Sequence, residues 1–186
     1  MAQTLTDRVK AILNTPDTGE AVQISELNSN FSKLDNNFMP AAGFRSTVDQ
    51  SIPNNAATKI TYPTVAFDSY AARSEGPMAD LALDEITIRK AGLYTIKLAG
   101  SFEPVLAGAR RLDIVKNGVA QVSDTSAGYT GANCCLSIAK DMVLAVNDVI
   151  SGRAFQNSGA ALNWNHNTFA EGNYLSVSWL GSVVEV

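Results

Sequence analysis

The sequence predicts a mainly β protein, an antiparallel jelly-roll sandwich of about ten short strands preceded by a short α-helical segment. Two patterns support this. Tyr94, Ile96 and Leu98 lie on one face of a predicted strand and alternate with polar residues, which is typical of a strand that buries one face. Asn117-Gly118 then follows an apolar run, and this dipeptide favours the type I′ turn of a β-hairpin.

Composition narrows the class of protein. The chain has 186 residues, of which 46% are hydrophobic and 17% charged, as expected for one globular domain with a smaller appendage. The net charge is −4, and the basic residues are dispersed in clusters no longer than a pair such as Arg110-Arg111. Since nucleic-acid binding depends on clustered cations, we expect no nucleic-acid partner. We also expect no signal peptide and no membrane insertion. Adjacent Cys134 and Cys135 suggest no disulfide framework and fit folding in a reducing cytoplasm.

The N-terminal part divides into three predicted segments. Residues 1–20 contain a short amphipathic helix and form a candidate attachment segment. Residues 21–40 form a candidate helical stem, because apolar residues recur at spacings of 3, 4, 3 and 4, as in a heptad repeat. These residues are Ile24, Leu27, Phe31, Leu34 and Phe38. An ordinary amphipathic helix is the alternative. Residues 41–54 are predicted to be a linker with early strand character.

The head domain is predicted over residues 55–186. Its strands are expected at 59–62, 65–68, 86–89, 94–98, 112–115, 119–123, 134–139, 141–146, 149–155 and 174–181. The hairpin after Val115 poses a problem, since a strict two-residue turn pairs Asp113 with Val122 and mixes polar and apolar side chains on one face. Either a bulge shifts the register, or both faces of the strand are partly buried in an assembly.

Several segments resemble, in the same order, the globular head of complement C-one-q and its tumour-necrosis-factor relatives. They are Ala91-Gly92-Leu93-Tyr94, Phe102, Leu112 to Gly118, Val143 to Val149 and Tyr174 to Val177. The sequence departs from the family at Asn147, where Gly is usual, and in lacking a collagen-like tract. The resemblance implies a ten-stranded jelly roll that forms a tight homotrimer. We therefore assign the trimer core and interface to the heptad residues together with Tyr94, Ile96 and Leu98.

Two further segments are similar to bacteriophage structural proteins. Ile52 to Ile60 followed by Phe67-Asp68 looks like the phage version of this head, and Glu26 to Leu34 is similar to the leading helix of phage tail and fibre proteins. The resemblance implies a virion protein of the fibre, spike or decoration type, assembled in the cytoplasm of the host bacterium. Its N-terminus would attach to other virion proteins. Its head would bind host-surface carbohydrate or protein, or stabilise the particle.

Catalytic groups are sparse in the sequence. His166 is the only histidine, and no residues near it have metal-ligand spacing. Asp80 and Asp84-Glu85 could contribute to a calcium site, although a solvated acidic loop is the simpler interpretation. We expect no enzyme activity, no catalytic residue, no metal and no cofactor. The alternatives are a tail-associated protein that binds or degrades carbohydrate, and a bacterial surface adhesin.

A receptor contact is predicted where aromatic rings adjoin amides. Trp164 lies next to Asn165 and His166 in a polar stretch, and Tyr129 lies in a loop of small residues. An aromatic ring can stack on a ligand while neighbouring amides donate hydrogen bonds to it, and this combination suits a sugar or a protein epitope. The alternative is that Trp164 caps the core or the trimer seam. As a surface residue, Trp164 should tolerate replacement by alanine without loss of fold or trimer.

Overall fold

The computed structural model describes residues 38–46, 48–165 and 173–183, and of Asn165 it describes the backbone alone. Within residues 39–186, which form one compact unit, the described residues contain thirteen strands and no helix. No described helix is therefore long and apolar enough to cross a membrane. The predicted helical segments, residues 1–20 and 21–40, fall outside the described part except for residues 38–40, which are not helical.

The strands form two antiparallel sheets. Sheet A has seven strands: β1 (Ala41–Ser46), β2 (Gln50–Ile52), β4 (Thr64–Asp68), β7 (Gly92–Phe102), β10 (Cys134–Leu144), β12 (Leu162–Asn165) and β13 (Asn173–Gly181). Sheet B has six: β3 (Thr58–Lys59), β5 (Ala79–Asp80), β6 (Glu85–Thr87), β8 (Ala109–Lys116), β9 (Val119–Ala127) and β11 (Val149–Gln156). Neighbours in a sheet are mostly distant in sequence, as a jelly roll requires.

Strand β7 is the centre of sheet A. It pairs with β10 along its whole length, from Gly92 opposite Leu144 to Phe102 opposite Cys134. On its other side it pairs with β13 and, at its end, with β12. Strand β1 extends the sheet beyond β13, and β4 pairs with β1. In sheet B, β11 holds the central place between β8 and the short strands β3 and β6.

The core lies between the two sheets. The alternation predicted for β7 is observed, since Tyr94, Ile96 and Leu98 are all 0% exposed. Gly152 of sheet B packs directly over Leu98, whose Cδ1 would lie 3.0 Å from a Cβ at that glycine. The other fully buried aliphatic side chains include Leu112, Ile114, Ile150, Leu175 and Val177. Burial of each such side chain stabilises the fold by roughly 1.5–3 kcal/mol.

The hairpin between β8 and β9 resolves the register problem. Asn117 (φ 51°) and Gly118 (φ 80°) form the turn with positive φ at both central residues, as a type I′ turn requires. A bulge between Ile114 and Val115 then shifts the pairing, so that Asp113 lies opposite Ser123 instead of Val122. The bulge alternative is therefore confirmed, and polar residues face each other across this pair.

The largest differences between the predicted and the observed strands are in three places. Residues 41–54, predicted to be a linker, contribute β1 and β2 to sheet A, because Ala42 and Phe44 point into the core. The two strands predicted over residues 134–146 are one continuous strand, β10. The polar stretch before β13 contains β12, in which Leu162 and Trp164 alternate with asparagine. Some of these added strands are very short, which is why thirteen are found where about ten were expected.

Asp148 joins the turns at one end of the sandwich. Its carboxylate accepts hydrogen bonds from Asn117 Nδ2 (2.7 Å) and the Ala145 amide (2.8 Å), and Lys116 Nζ lies 2.7 Å away. Burial alone would raise the pKa of Asp148, but the hydrogen bonds from Lys116, Ala145 and Asn117 outweigh it and lower the pKa below its ordinary value of 3.8. The ionised carboxylate therefore holds the β8–β9 and β10–β11 turns together.

Candidate functional site

The outward side of sheet A is a broad surface of small, hydroxyl and apolar residues. We call it the sheet A face. It consists of Ala41, Gly43 and Arg45 on β1, Phe67 on β4, Leu93, Thr95, Lys97 and Ala99 on β7, Cys135, Ser137, Ala139, Asp141 and Val143 on β10, and Tyr174, Ser176 and Ser178 on β13. Its charged members are Arg45, Lys97 and Asp141, and Asp141 accepts a 2.5 Å hydrogen bond from Thr95 Oγ1.

Two apolar features stand out on this face. Val143 is 59% exposed near the end of β10, and Phe67 is 46% exposed on β4. The Phe67 ring packs against Gly43, since a Cβ at that glycine would be 2.7 Å from Phe67 Cε1. Beside the ring, Tyr174 and Lys97 help to line a cleft of about 390 Å³. Val143 and Phe67 lie on strands at opposite edges of the sheet, so they are separate exposed apolar residues on a surface of otherwise mostly small or hydroxyl side chains.

Cys135 is exposed on the same face, on β10. Partial desolvation of the sulfur, and secondarily the neighbouring Cys134, raises the pKa of the Cys135 thiol. The thiol donates a weak hydrogen bond to the Asn133 carbonyl (3.6 Å). A thiol held protonated is a poor nucleophile, so in this position it acts as a small, weakly polar surface residue.

The outward side of sheet B has a different character, because ion pairs dominate it. Asp113, 1% exposed, lies between two arginines: Arg111 Nε is 2.9 Å from Oδ1 and Arg153 Nε is 3.0 Å from Oδ2. Ser123 Oγ donates a further 2.6 Å hydrogen bond to Oδ1. The Arg111 guanidinium also lies over the Phe155 ring, 4.8 Å from its centroid, a favourable cation–π distance.

The residues predicted for a trimer interface on β7 point the other way. Tyr94, Ile96 and Leu98 are 0% exposed and belong to the core of the single chain. The Tyr94 hydroxyl donates to the Lys90 carbonyl (2.7 Å), and burial raises its pKa. They leave no surface for a second copy, because the faces of a strand alternate and their neighbours point outward instead. Of the heptad residues only Phe38 is described, and it is half-buried.

Of the four predicted receptor contacts, the structure describes the side chains of Tyr129 and Trp164, and only Tyr129 is at the surface. Tyr129 is 58% exposed, with its ring against Gly131. Trp164 is 1% exposed and packs edge-on against Phe102, with ring centroids 4.9 Å apart at 71°. The structure thus places Trp164 in the core, as the alternative interpretation expected. The side chain of Asn165 and all of His166 lie outside the described residues.

The acidic residues considered for calcium make structural contacts. Asp80 Oδ1 accepts from the amides of the turn after β5, and Asp84 Oδ1 accepts from the Tyr62 amide at 2.7 Å. Glu85 pairs with Lys59 at 2.6 Å. Within the described residues, no three His, Cys, Asp or Glu side chains are close enough to hold a metal ion.

Sequence reasoning missed two polar features. One is the arginine–aspartate cluster of sheet B, whose only local signal is Arg111 and Asp113 at alternate positions of one strand. The other is Arg110, 0% exposed, whose guanidinium donates to the carbonyls of Val105 (2.8 Å) and Ala107 (2.9 Å). Burial lowers the pKa of Arg110. Its role is to hold the loop between β7 and β8 against the sandwich.

Neither a protein-family model nor a curated protein sequence matches the chain. Solved structures do match. The structure of murine APRIL at pH 8.0 superimposes with a TM-score of 0.56 and 12% sequence identity, and the match covers 77% of this chain and 100% of that chain. The structure of the same protein at pH 5.0 superimposes with a TM-score of 0.54 and 11% identity, with the same coverage. Eiger TNF from S. frugiperda superimposes with a TM-score of 0.54 and 11% sequence identity, and the match covers 79% of this chain and 96% of that chain. The predicted fold class is confirmed: the described part of the chain is a tumour-necrosis-factor-like jelly-roll sandwich.

Proposed function

We propose that the chain is a non-enzymatic structural protein of a bacteriophage virion that assembles as a homotrimer through the sheet A face. In this proposal residues 1–38 attach it to other virion proteins, as part of a fibre, spike or decoration protein. The jelly-roll head projects from the particle. The order of head-like and phage-like segments in the sequence supports the virion role, and the surface chemistry of the head supports the assembly.

The composition of the sheet A face is the observation that carries the proposal. An antiparallel sheet with one face in water normally alternates apolar residues inside with polar and charged residues outside. Here many outward positions are Ala, Gly, Ser, Thr, Leu or Val, whereas the outward side of sheet B has ion pairs. Small residues let another chain approach closely, and few charges need to be desolvated. Contact between copies is the arrangement that this face favours.

The proposed interface lies one residue along from the predicted one. On β7 the outward side chains are Leu93, Thr95 and Lys97, each next to a core residue named earlier from the sequence. A single-residue shift along a strand exchanges the two faces of the sheet. Tyr94 then supports the trimer indirectly, because it holds β7 in place from the core side.

Light scattering on the purified chain tests the assembly. We expect a particle of three times the 19.7 kDa chain mass. Ser137→Glu, which adds a charge to an exposed position in the middle of β10, should shift the mass toward one chain while the far-UV circular dichroism stays unchanged. Ala57→Glu is the matched control, since Ala57 is exposed in the turn before β3 of sheet B. A monomeric wild-type chain would refute the trimer.

Electron microscopy of virions tests the biological role. A tag at the C-terminus should appear as a projecting density at one structural location on the particle. Removing residues 1–38 leaves β1 intact and should abolish incorporation into virions without abolishing the trimer. Incorporation at the wild-type level after that deletion would exclude the N-terminus as the attachment segment.

A further inference from the structure

A small groove crosses the outward side of sheet B beside the arginine–aspartate cluster. Its volume is about 200 Å³, and its charged lining residues are Lys59, Glu85 and Arg153. The remaining lining comes from the β8–β9 hairpin and β11: Val115, Gly118, Val149, Ser151 and Gly152. The groove is smaller than the roughly 300–1,000 Å³ of a typical small-molecule pocket. It therefore suits one residue of a polymer whose neighbours remain in solvent.

The Arg153 guanidinium is held in a fixed orientation at this groove. Asp113, almost fully buried, accepts from Arg153 Nε at 3.0 Å and is fixed on its other side by Arg111 and Ser123. Among the described residues, no acceptor pairs with either terminal nitrogen of Arg153. Its side chain is 30% exposed. Two terminal amino groups in a fixed plane are the donors that a carboxylate accepts in bidentate geometry.

The charges around the groove favour an anion. Lys59, Arg111 and Arg153 provide three positive charges against the two negative charges of Asp113 and Glu85, an excess of one on a chain whose net charge is −4. The Glu85 carboxylate does not repel an anion strongly, because Lys59 Nζ lies 2.6 Å from Oε1. Within the described residues its other oxygen has no donor and can accept from a hydroxyl group.

We propose that this groove binds a carboxylate-bearing sugar, a uronic acid residue of an acidic polysaccharide. The sugar carboxylate pairs with the terminal amino groups of Arg153, and a ring hydroxyl donates to Glu85. No atom lies within 4 Å of the position that a Cβ would take at Gly118, so this glycine leaves open space for the sugar ring beside the β8–β9 turn. The inference rests on the proposed virion role, to which it adds binding of a host-surface carbohydrate, and not on trimer formation, which uses the opposite sheet.

Isothermal titration calorimetry with a galacturonic acid oligomer tests the site on the full chain, with neutral dextran and dextran sulfate as comparison ligands. We expect binding of the oligogalacturonate, no binding of dextran, and weaker binding of dextran sulfate. Arg153→Lys keeps the charge but removes the planar pair of donors, so affinity should fall about tenfold or more. Lys140→Gln, which removes an exposed charge on β10 of sheet A, should leave affinity unchanged.

Three outcomes would overturn the inference. They are no heat from the oligogalacturonate, equal affinity in Arg153→Lys, and dextran sulfate binding that Lys140→Gln weakens as much as Arg153→Lys does. The last outcome would mean attraction to net charge alone. Thermal unfolding of each variant separates a lost site from a lost fold. Light scattering on the same samples shows whether the trimer persists, so a failure of binding is distinguishable from a failure of assembly.

Discussion

Replacing Trp164 by alanine gives the sharpest test of the fold. The surface interpretation of the sequence expects no effect, whereas the structure places this side chain in the core at 1% exposure. The indole rests on Gly100, where a Cβ would lie 2.0 Å from Trp164 Cζ2, and packs edge-on against Phe102. Gly100 and the tryptophan therefore form a matched pair, in which the missing Cβ provides the space that the ring occupies.

The expected loss of stability in Trp164→Ala follows from the volume of the side chain that is removed. Truncation of a buried aromatic side chain to alanine typically costs about 3–5 kcal/mol, because transfer energy is lost and a cavity remains. The total stability of a domain is roughly 5–15 kcal/mol, so Trp164→Ala should remove a large fraction of it. Trp164→Phe should cost less. It keeps an aromatic partner for Phe102 and removes an indole N–H that is buried and without an acceptor in the described part of the chain.

Urea unfolding at fixed protomer concentration measures this effect. Far-UV circular dichroism is the appropriate signal, since the chain has two tryptophans and the substitution alters fluorescence by itself. Tyr129→Ala is the matched control, because its ring is 58% exposed and surface substitutions usually change stability by less than about 0.5 kcal/mol. If Trp164→Ala unfolds within about 1 kcal/mol of the wild type, the placement of β12 against β7 is wrong.

Two further predictions concern turns. The pKa of Asp148 is lowered in the folded chain from its ordinary value of 3.8. The ionised carboxylate therefore stabilises the fold at pH values above the unfolded-state pKa, and this stabilisation is lost as the pH falls through the lower folded-state pKa. Between pH 6 and pH 3, the urea midpoint of unfolding should therefore fall less in Asp148→Asn than in the wild type. Gly118 has φ +80°, and no atom lies within 4 Å of the position a Cβ would take. Gly118→Val should therefore lower the free energy of unfolding by about 1–2 kcal/mol through backbone strain alone. Gly118→Asn should lower it by less, and urea unfolding measures both variants.

The sequence predicts most of the sandwich because its strands are strongly patterned. In β7 and β13 the apolar residues alternate over a long run, and the Asn117-Gly118 turn is explicit, so fold class and hairpin follow directly. The bulge beside that turn was foreseen only as one of two alternatives, because local sequence does not say which polar residues find partners. Asp113 settles the register, since opposite Ser123 it gains a 2.6 Å hydrogen bond.

The candidate sites were less predictable, because each depends on residues far apart in the chain. Arg153 reaches Asp113 across forty positions of sequence, and no local pattern joins them. Trp164 did carry a signal that was outweighed by its polar neighbours: Leu162 and Trp164 alternate with asparagine, which is the period of a half-buried strand. Polar neighbours on the other face of a strand say nothing about the face that is buried.

Truncation of the N-terminus decides where the head domain begins. The small residues of Ala41–Ser46 predicted a linker, yet this stretch is β1, which pairs with β13 on one side and β4 on the other and buries Ala42 and Phe44.

A chain starting at Met39 should therefore fold cooperatively with near wild-type stability. A chain starting at Asn55, the predicted domain limit, should fail to fold, since β13 and β4 lose the strand between them and the Phe44 ring no longer stacks on Tyr62 at 5.2 Å. Amide hydrogen exchange and urea unfolding on both chains measure this difference. A folded, cooperative chain from Asn55 would mean that β1 is dispensable and that the linker prediction describes the chain better than the sheet does.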